Sequence, residues 1–471
     1  MGSFVSLICL HVFLVFLLFS HITASQKVVT SLPGFDGQLP FYLETGYIGV
    51  GDFNESQLFY YFVKSQRSPA LDPLLLWISG GPGCSSFTAF LYENGPIIFN
   101  YSNYSPGLPS LQLNPSAWTQ GLNILYLDAP VGTGFSYSTT QENYHVDDQN
   151  STAQIYEFLR KWLIDRPQYL ANQLFIGGDS YSGIPVPLIV KNILDGNEAG
   201  VQPTMNLKGY VLGNPKTDYF LDLNARVPFA HRLTLISDQI YQDAKVYCHG
   251  DYVNINPSNT NCVSAMNAFH EMILEINIMQ VIEPTCQTAT PRTKGAQGRR
   301  SLDEKDLKED LNISGLNKRA YWCRNYYYVL SDIWANNKRV REALHVREGT
   351  TGVWTRCNFS VAYTKSVTST IDYHKYFSKQ NLRALVYSGD HDLNIPHIAT
   401  QNWIHMLNLS INEYWRPWFV NGQVAGYTEK YMNGDYTLIF ATVKGAGHDA
   451  PEYKPTECYA MIDRFFAYFP L

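Results

Sequence analysis

The chain alternates between short apolar runs and longer segments whose apolar residues recur at helical spacing. Apolar runs bounded by glycine, proline or asparagine predict buried strands at 74–78, 123–128, 173–176, 207–212, 382–387 and 437–443. Helical periodicity predicts helices at 148–164, 184–194, 337–344, 397–407 and 455–468. Strands that alternate with helices in this way indicate an α/β fold, with a mostly parallel sheet covered by helices on both faces.

Two segments predict antiparallel strands instead. Residues 46–50 and 57–64 are rich in Tyr, Phe and Val on either side of a short turn, which is typical of a hairpin. Residues 415–431 predict further strands joined by turns.

Residues 220–328 interrupt the α/β pattern with an irregular helical insertion that carries four cysteines. Its segment 288–310 is polar, charged and nearly free of apolar anchors, and it contains the dibasic pair Arg299-Arg300. Such a composition predicts a solvated, protease-accessible linker. We therefore divide the chain after residue 25 into a first half of the core at 26–219, the insertion, and a second half at 329–471.

The N-terminus has the features of a targeting segment. Residues 7–19 are almost wholly apolar, and the small residues Thr23-Ala24-Ser25 follow. This pattern predicts a secretory signal peptide at 1–25, although only the α-amino group supplies positive charge before the apolar run. The alternative is an uncleaved anchor, but the run falls short of the ~20 residues that a spanning helix needs. No later segment is long and apolar enough to span a membrane.

Composition and charge exclude some classes of protein. Hydrophobic residues make up 45% of the chain and charged residues only 16%, which indicates a folded protein and not a disordered one. The net charge is -6 and there is no long basic run, so nucleic acid is not expected as a partner. The absence of C-x-x-C and H-E-x-x-H motifs argues against a metal site.

Entry into the secretory route makes two other features meaningful. Seven sequons are possible glycosylation sites: Asn54, Asn100, Asn103, Asn150, Asn312, Asn358 and Asn408. Seven cysteines remain once the signal peptide is removed, and an odd number in an oxidising compartment predicts disulfides and at least one free thiol.

The segment Gly178-Asp179-Ser180-Tyr181-Ser182-Gly183 joins a predicted strand to a predicted helix. A serine between small residues on such a tight turn is typical of a nucleophile elbow, where the serine backbone is strained and the helix passes close to the strand. The segment departs from G-x-S-x-G, because Ser182 stands at the second glycine position and Gly183 follows. Such a turn alone is weak evidence for a nucleophile.

Besides Ser180, candidate aspartates and a histidine also follow predicted strands. The three kinds of residue occur in the chain order Ser, Asp, His. The strand at 382–387 leads to Asp390 and Asp392, and the strand at 437–443 leads to His448. Open α/β sheets place their sites at the carboxyl ends of strands, and this is the chain order of α/β-hydrolases. Histidine would take the serine proton and the carboxylate would hold the imidazole, but spacing does not choose between Asp390 and Asp392.

Backbone N–H groups near the elbow can stabilise the negatively charged oxygen of an acyl-transfer intermediate. Tyr181 follows the nucleophile and offers one N–H, and Gly80-Gly81 can offer another because glycine lets a backbone approach a ligand closely. The loss of one such donor typically raises the barrier by about 3 kcal/mol.

The combination of motifs resembles the serine carboxypeptidase family. The motifs that carry the resemblance are Leu76-Trp77-Ile78-Ser79-Gly80-Gly81-Pro82-Gly83-Cys84-Ser85-Ser86, Asp128-Ala129-Pro130-Val131-Gly132-Thr133-Gly134-Phe135-Ser136-Tyr137, the elbow, Tyr387-Ser388-Gly389-Asp390-His391-Asp392 and Gly447-His448. The resemblance extends over essentially the whole mature chain. It implies an α/β-hydrolase fold, a triad of Ser180, Asp392 and His448, and oxyanion donors at Gly81 and Tyr181. It also implies the disulfides Cys84–Cys357, Cys248–Cys262 and Cys286–Cys323, with Cys458 unpaired.

Departures from the peptidase pattern bear on the reaction. The carboxypeptidases of this family have Asn at the position of Ser79 and Glu at the position of Asp179, and with a glutamate matching Glu93 these grip the terminal carboxylate of a peptide. With Ser79 and Asp179 at these two positions, the chain resembles the plant serine carboxypeptidase-like acyltransferases, which use 1-O-β-glucose esters. The resemblance implies an acyl-Ser180 intermediate, an acceptor alcohol, and no need for CoA, ATP or metal. We assign Ser79, Gly80, Glu93 and Asp179 to substrate binding.

Two other hypotheses remain open at this point. A secreted or vacuolar serine carboxypeptidase is the first, and an inactive binding protein is the second, although the intact triad argues against the latter. In some relatives the linker is excised, so the chain is expected as a monomer or as two disulfide-linked chains. The vacuole or the extracellular space is what the family implies for its location.

Overall fold

The computed structural model describes residues 27–101, 107–285 and 324–471. The predicted signal peptide, the linker at 288–310, and the pair Cys286 and Cys323 lie outside these residues. Arg299-Arg300 lies outside them as well.

A 12-stranded sheet forms the centre of the described chain. From edge to edge its strands are Lys27–Val29, Leu43–Val50, Ser56–Val63, Asn123–Leu127, Leu74–Ile78, Leu174–Asp179, Leu207–Gly213, Arg383–Gly389, Tyr436–Val443, Gln423–Asn433 and Ser410–Val420, and Tyr137–Ser138 pairs with Ser56–Val63. The strands from Asn123–Leu127 to Tyr436–Val443 are parallel, and those at both margins are antiparallel. The predicted α/β fold is confirmed; the strand predicted at 74–78 matches the observed one, and the other predicted strand ends differ from the observed ends by at most three residues.

Helices follow most of the parallel strands. The described helices are Asp148–Asp165, Pro185–Glu198, Tyr219–Asn224, Arg226–Arg232, Asp238–Cys248, Thr260–Ile273, Arg324–Ala335, Lys338–Ala343, Ile371–Phe377, His397–Met406, Ala450–Tyr453 and Pro455–Phe466. None of them is long and apolar enough to cross a membrane. The helix Arg324–Ala335 was not predicted, and the predicted domain boundary at 328 falls inside it.

Alternation along the strands divides the core into two layers. Leu75 and Trp77 face one side of the sheet, where Trp334 of the helix Arg324–Ala335 is buried. Leu74 and Leu76 face the other side, against the helices Asp148–Asp165 and Pro185–Glu198. Successive strand residues point to opposite faces, so a run of five buried residues such as Leu74–Ile78 requires cover on both.

The insertion helices have a separate apolar core that also contacts the second half of the sheet. Phe229, Met266 and Phe269 pack there with Leu393 and Ile398. Leu393 directly follows Asp392, so this small core reaches the carboxyl ends of the parallel strands, where the predicted site residues lie.

Two disulfides occur in the described part of the chain. Cys84–Cys357 joins residues 273 positions apart and ties the glycine-rich loop after Leu74–Ile78 to the second half of the core. Cys248–Cys262 closes a separation of only 14 positions inside the insertion. Cys458 is buried and unpaired.

Removal of Cys84–Cys357 should destabilise the protein more than removal of Cys248–Cys262. In the chain-entropy account a long loop loses more freedom, so we expect about 5–6 kcal/mol for the first pair and about 3 kcal/mol for the second. Double alanine variants compared by thermal unfolding test this order. Equal losses, or a larger loss for Cys248–Cys262, would show that loop closure does not govern the difference.

Candidate active site

The elbow holds Ser180 in a strained backbone conformation. The strand Leu174–Asp179 ends directly before Ser180, which has φ of 56° and begins the short helical turn Ser180–Gly183. A Cβ added to Gly178 would lie 2.3 Å from the carbonyl oxygen of Ile78, so only glycine fits there. The turn is further fixed by the Ser182 hydroxyl, which donates to the same carbonyl at 2.8 Å. These contacts place the Ser180 side chain at the end of the sheet.

Ser180, His448 and Asp392 form a hydrogen-bonded chain. Ser180 Oγ lies 2.7 Å from His448 Nε2, and His448 Nδ1 lies 2.7 Å from Asp392 Oδ2. Asp392 is fully buried and His448 is 2% exposed. The arrangement lets His448 take the serine proton while Asp392 holds the imidazole tautomer and stabilises its positive charge.

The structure distinguishes between the two carboxylates that spacing left open. Asp392 contacts His448, and Asp390 instead accepts hydrogen bonds from the Gly445 N–H and contacts His391 Nδ1, both at 2.6 Å. Asp390 therefore joins the two loops that carry the triad members and does not contact the catalytic imidazole.

Asp392 is surrounded by further donors. Its Oδ1 accepts the N–H groups of Asn394 at 2.8 Å and Ile395 at 3.2 Å, and its Oδ2 also accepts Asn214 Nδ2 at 2.9 Å. Asn214 directly follows the strand Leu207–Gly213 and is fully buried. These hydrogen bonds fix the position of the Asp392 carboxylate and satisfy its buried oxygens.

A segment of the insertion, residues 278–281, crosses both loops that carry triad members. The Met279 carbonyl accepts the His448 N–H at 2.7 Å, and the Ile278 carbonyl accepts the N–H groups of Leu393 and Asn394 at 2.9 Å. The insertion thus fixes the backbone of the loops that carry Asp392 and His448.

The electrostatic surroundings of His448 favour the protonated imidazole. Burial lowers its pKa, but the charge and hydrogen bond of Asp392, with the charges of Asp449 and Asp179, outweigh burial and raise the pKa to about 9. This stabilises the imidazolium that forms when Ser180 loses its proton.

Two backbone donors remain free beside the nucleophile. Within the described residues, the N–H groups of Gly81 and Tyr181 donate to no protein group. The Gly80 N–H is occupied, since it donates to Asp179 Oδ1 at 3.2 Å. A Cβ on Gly80 would lie 2.7 Å from both Ser180 Cβ and the Tyr181 nitrogen, so the glycine-rich loop packs against the nucleophile. Gly81 and Tyr181 are therefore the available pair for an oxyanion.

All four residues assigned to substrate binding are buried. Ser79 Oγ and Glu93 Oε2 have no hydrogen-bond partner in the described part of the chain. Burial raises the pKa of Glu93 well above its usual range, and the charges of Asp179 and Asp449 add to this. Burial and Asp449 likewise raise the pKa of Asp179 to about 7, against the opposing effect of His448. The charge of Asp179 therefore raises the pKa of Glu93, and Asp179 and His448 influence each other's ionisation.

Sequence reasoning missed three polar residues of this region: Asn214, Asn394 and Arg356. Asn214 and Asn394 could have been found, because each lies just after a predicted strand. Arg356 precedes Cys357, and its guanidinium lies 4.1 Å from the ring centre of Tyr328 and lowers the pKa of Glu93. Arg356 does not follow a predicted strand, so its position in the sequence gave no indication of its place in the site. The disulfide Cys84–Cys357 brings it there.

Other predicted features lie away from the triad or outside the described residues. Exposed sequon asparagines are Asn54, Asn150 and Asn408, and half-buried ones are Asn100 and Asn358. Asn103 and Asn312 are not among the described residues. Glycosylation stays a prediction at all seven. In the described part of the chain, no cluster of three or more His, Cys, Asp or Glu side chains has an arrangement that could hold a metal ion.

The order of the strands and the loops at their carboxyl ends define an α/β-hydrolase. The serine carboxypeptidase family model matches residues 33–468, and the chain belongs to this family. Serine carboxypeptidase-like 17 of Arabidopsis thaliana is 46% identical over 447 residues, which cover 95% of this chain and 94% of that protein. Serine carboxypeptidase-like 7 of the same plant is 44% identical over 449 residues, 95% of each chain.

A solved structure shares the fold. Kex1(delta)p, a prohormone-processing carboxypeptidase from Saccharomyces cerevisiae, superposes with a TM-score of 0.68 at 18% identity. The match covers 90% of this chain and 91% of that one.

The charge of Asp179 should be visible in the pH dependence of the reaction. His448 acts as a base only when neutral, so kcat/KM for an ester rises as the pH approaches its pKa of about 9. Negative charge nearby favours the imidazolium, so Asp179→Asn should lower that pKa and move the rising limb to lower pH by about one unit. Asn keeps an oxygen that can accept the Gly80 N–H.

Asp435→Asn serves as the matched control, because the exposed Asp435 precedes the strand Tyr436–Val443 and lies at its opposite end from His448. Its pH profile should equal that of the wild type. If the pH at which kcat/KM rises is unchanged in Asp179→Asn, or moves to higher pH, the electrostatic role of Asp179 is refuted.

Proposed function

We propose that this enzyme is an acyltransferase that moves an acyl group from a 1-O-β-glucose ester to an acceptor alcohol. The Ser180 oxygen attacks the ester carbonyl as its proton passes to His448 Nε2. The bond to glucose breaks, and the same proton goes to the departing glucose oxygen. The acceptor hydroxyl then gives its proton to Nε2 and attacks acyl-Ser180, and Ser180 regains a proton as it leaves.

The observation that carries the proposal is the set of groups at Ser79 and Asp179. Asp179 Oδ1 is turned towards the Gly80 N–H, and the Ser79 hydroxyl is buried without a partner. Neither group supplies the amide and longer acid that the resembling peptidases use to grip a free carboxylate. A polar group left unpaired in recognition costs roughly 1–3 kcal/mol, so a peptide terminus would bind poorly. A glucose ester has no such carboxylate to be gripped.

The second candidate is a serine carboxypeptidase, and Glu93 favours it. Burial raises the pKa of this acid well above its usual range, which favours its neutral form. A neutral carboxylic acid can donate a hydrogen bond to a peptide carboxylate. We rank this function second because Glu93 would act without its two partners.

We also propose a place in the secretory route, with the vacuole or the extracellular space as the destination. The predicted signal peptide and sequons support this. An enzyme that uses an activated glucose ester needs no CoA or ATP in that compartment.

Incubation with a 1-O-acylglucose plus an alcohol, and separately with a blocked dipeptide, tests the proposal. We expect an acylated alcohol and free glucose from the first mixture, and at least about tenfold slower release of amino acid from the second. Products are identified by mass spectrometry. Amino-acid release without any acyl transfer would refute the proposal in favour of the peptidase.

The second serine of the elbow, Ser182, provides a matched control for Ser180. Ser180→Ala should lower kcat by about 10⁴-fold or more, since the hydroxyl that forms the acyl-enzyme is gone. Ser182→Ala loses only a hydrogen bond to the Ile78 carbonyl and should keep most of the activity. Comparable activity in Ser180→Ala and the wild type would exclude an acyl-Ser180 intermediate.

A further inference from the structure

Asn394 is held rigidly beside the catalytic histidine. Its N–H donates to Asp392 Oδ1 at 2.8 Å and to the Ile278 carbonyl at 2.9 Å. Its neighbours Leu393 and Ile395 are buried, but Asn394 itself is only half-buried. The backbone is therefore fixed while the side chain reaches the open side of the triad.

Arg226 of the insertion determines which way the Asn394 amide faces. Arg226 Nη2 lies 2.8 Å from both the carbonyl oxygen and Oδ1 of Asn394, and Nε lies 3.1 Å from the same carbonyl oxygen. A guanidinium only donates, so the side-chain atom that faces it must be the oxygen. The NH₂ group of Asn394 consequently faces the other way.

That NH₂ group approaches the reacting nitrogen of the triad. Asn394 Nδ2 lies 3.5 Å from His448 Nε2, which also contacts Ser180 Oγ at 2.7 Å. An oxygen atom bound to Nε2 in place of Ser180 Oγ would lie within hydrogen-bond reach of Nδ2. Arg226, Asn394 and His448 thus form a line from the insertion to the atom that transfers the proton.

We propose that Asn394 binds the substrate oxygen that exchanges a proton with His448. In acylation this is the oxygen of the leaving alcohol: the ester bond breaks, the proton on Nε2 moves to that oxygen, and Nδ2 donates to it as negative charge develops. In deacylation the incoming hydroxyl occupies the same place, gives its proton to Nε2, and forms the new bond as the bond to Ser180 Oγ breaks. Asn394 makes no covalent bond in either step.

This inference rests on the acyl-Ser180 mechanism of the proposed function but not on the glucose ester. It predicts a dependence on the leaving group. An oxygen that is stable as an anion needs little help, whereas an alkoxide does. A donor aimed at the leaving oxygen should therefore matter for alkyl esters and hardly at all for 4-nitrophenyl esters.

The test compares methyl benzoate with 4-nitrophenyl benzoate as substrates of the full enzyme. Asn394→Leu keeps the size of the side chain and removes the donor. We expect kcat/KM for the methyl ester to fall by about 10- to 100-fold, the range for a hydrogen bond to a charged group, while the 4-nitrophenyl ester changes by no more than about threefold. Equal losses for both esters would show a purely structural role, and no loss for either would show no role; both overturn the proposal.

Two further measurements separate this outcome from misfolding and from failure of the proposed function. Labelling of Ser180 by a fluorophosphonate expels fluoride and places no oxygen at His448, so Asn394→Leu should be labelled at the wild-type rate. Neither ester contains glucose, so a result here stands even if 1-O-acylglucose is not a substrate.

Arg226→Met tests the orientation of the amide. Without the guanidinium the amide can turn over, and we expect the same selective loss on the methyl ester, smaller than in Asn394→Leu. An equal loss on the two esters in this variant would contradict the orienting role of Arg226.

Discussion

The left-handed backbone of Ser180 is the constraint on which the site depends. A non-glycine residue held in a sparsely populated conformation costs about 1–3 kcal/mol and persists only where its surroundings enforce it. Here the enforcement comes from Gly178, which allows the turn to press against the Ile78 carbonyl, and from the buried strands on either side. The parallel sheet thus keeps the nucleophile at the strand end, where the other loops can reach it.

The second feature of the site is a concentration of buried acids around one imidazole. Asp392 accepts hydrogen bonds from Asn214 and Asn394, and its charge and its hydrogen bond to His448 raise the pKa of the imidazole. Burial raises the pKa values of Asp179 and Glu93, and the charges of neighbouring acids raise them further.

Most of the fold and the triad could be predicted because both have local signals. Buried strands followed by glycine-rich turns marked Ser180, His448 and the pair Asp390/Asp392, and the order of strand ends placed them together. Asp390 could not be separated from Asp392 by spacing, since the distinction arises from the path of a loop two residues long. Gly80 and Gly81 are likewise adjacent in sequence, yet only Gly80 donates to Asp179.

What the sequence could not show depends on contacts between distant segments. Arg226 and Asn394 are 168 positions apart, and the insertion carries one of them to the other. The contact of residues 278–281 with the His448 loop likewise joins segments that are far apart in the sequence. The helix Arg324–Ala335 was missed because the predicted end of the insertion, residue 328, falls inside it.

The central claim is that an acyl group resides on Ser180 between donor and acceptor. Mixing the enzyme with a 1-O-acylglucose in the absence of acceptor, quenching in acid and mapping the peptides by mass spectrometry measures this directly. The account predicts that the peptide containing Ser180 gains the mass of the acyl group and loses it when an alcohol is added before the quench. Continued transfer to alcohol with no acylated peptide at any time would contradict it.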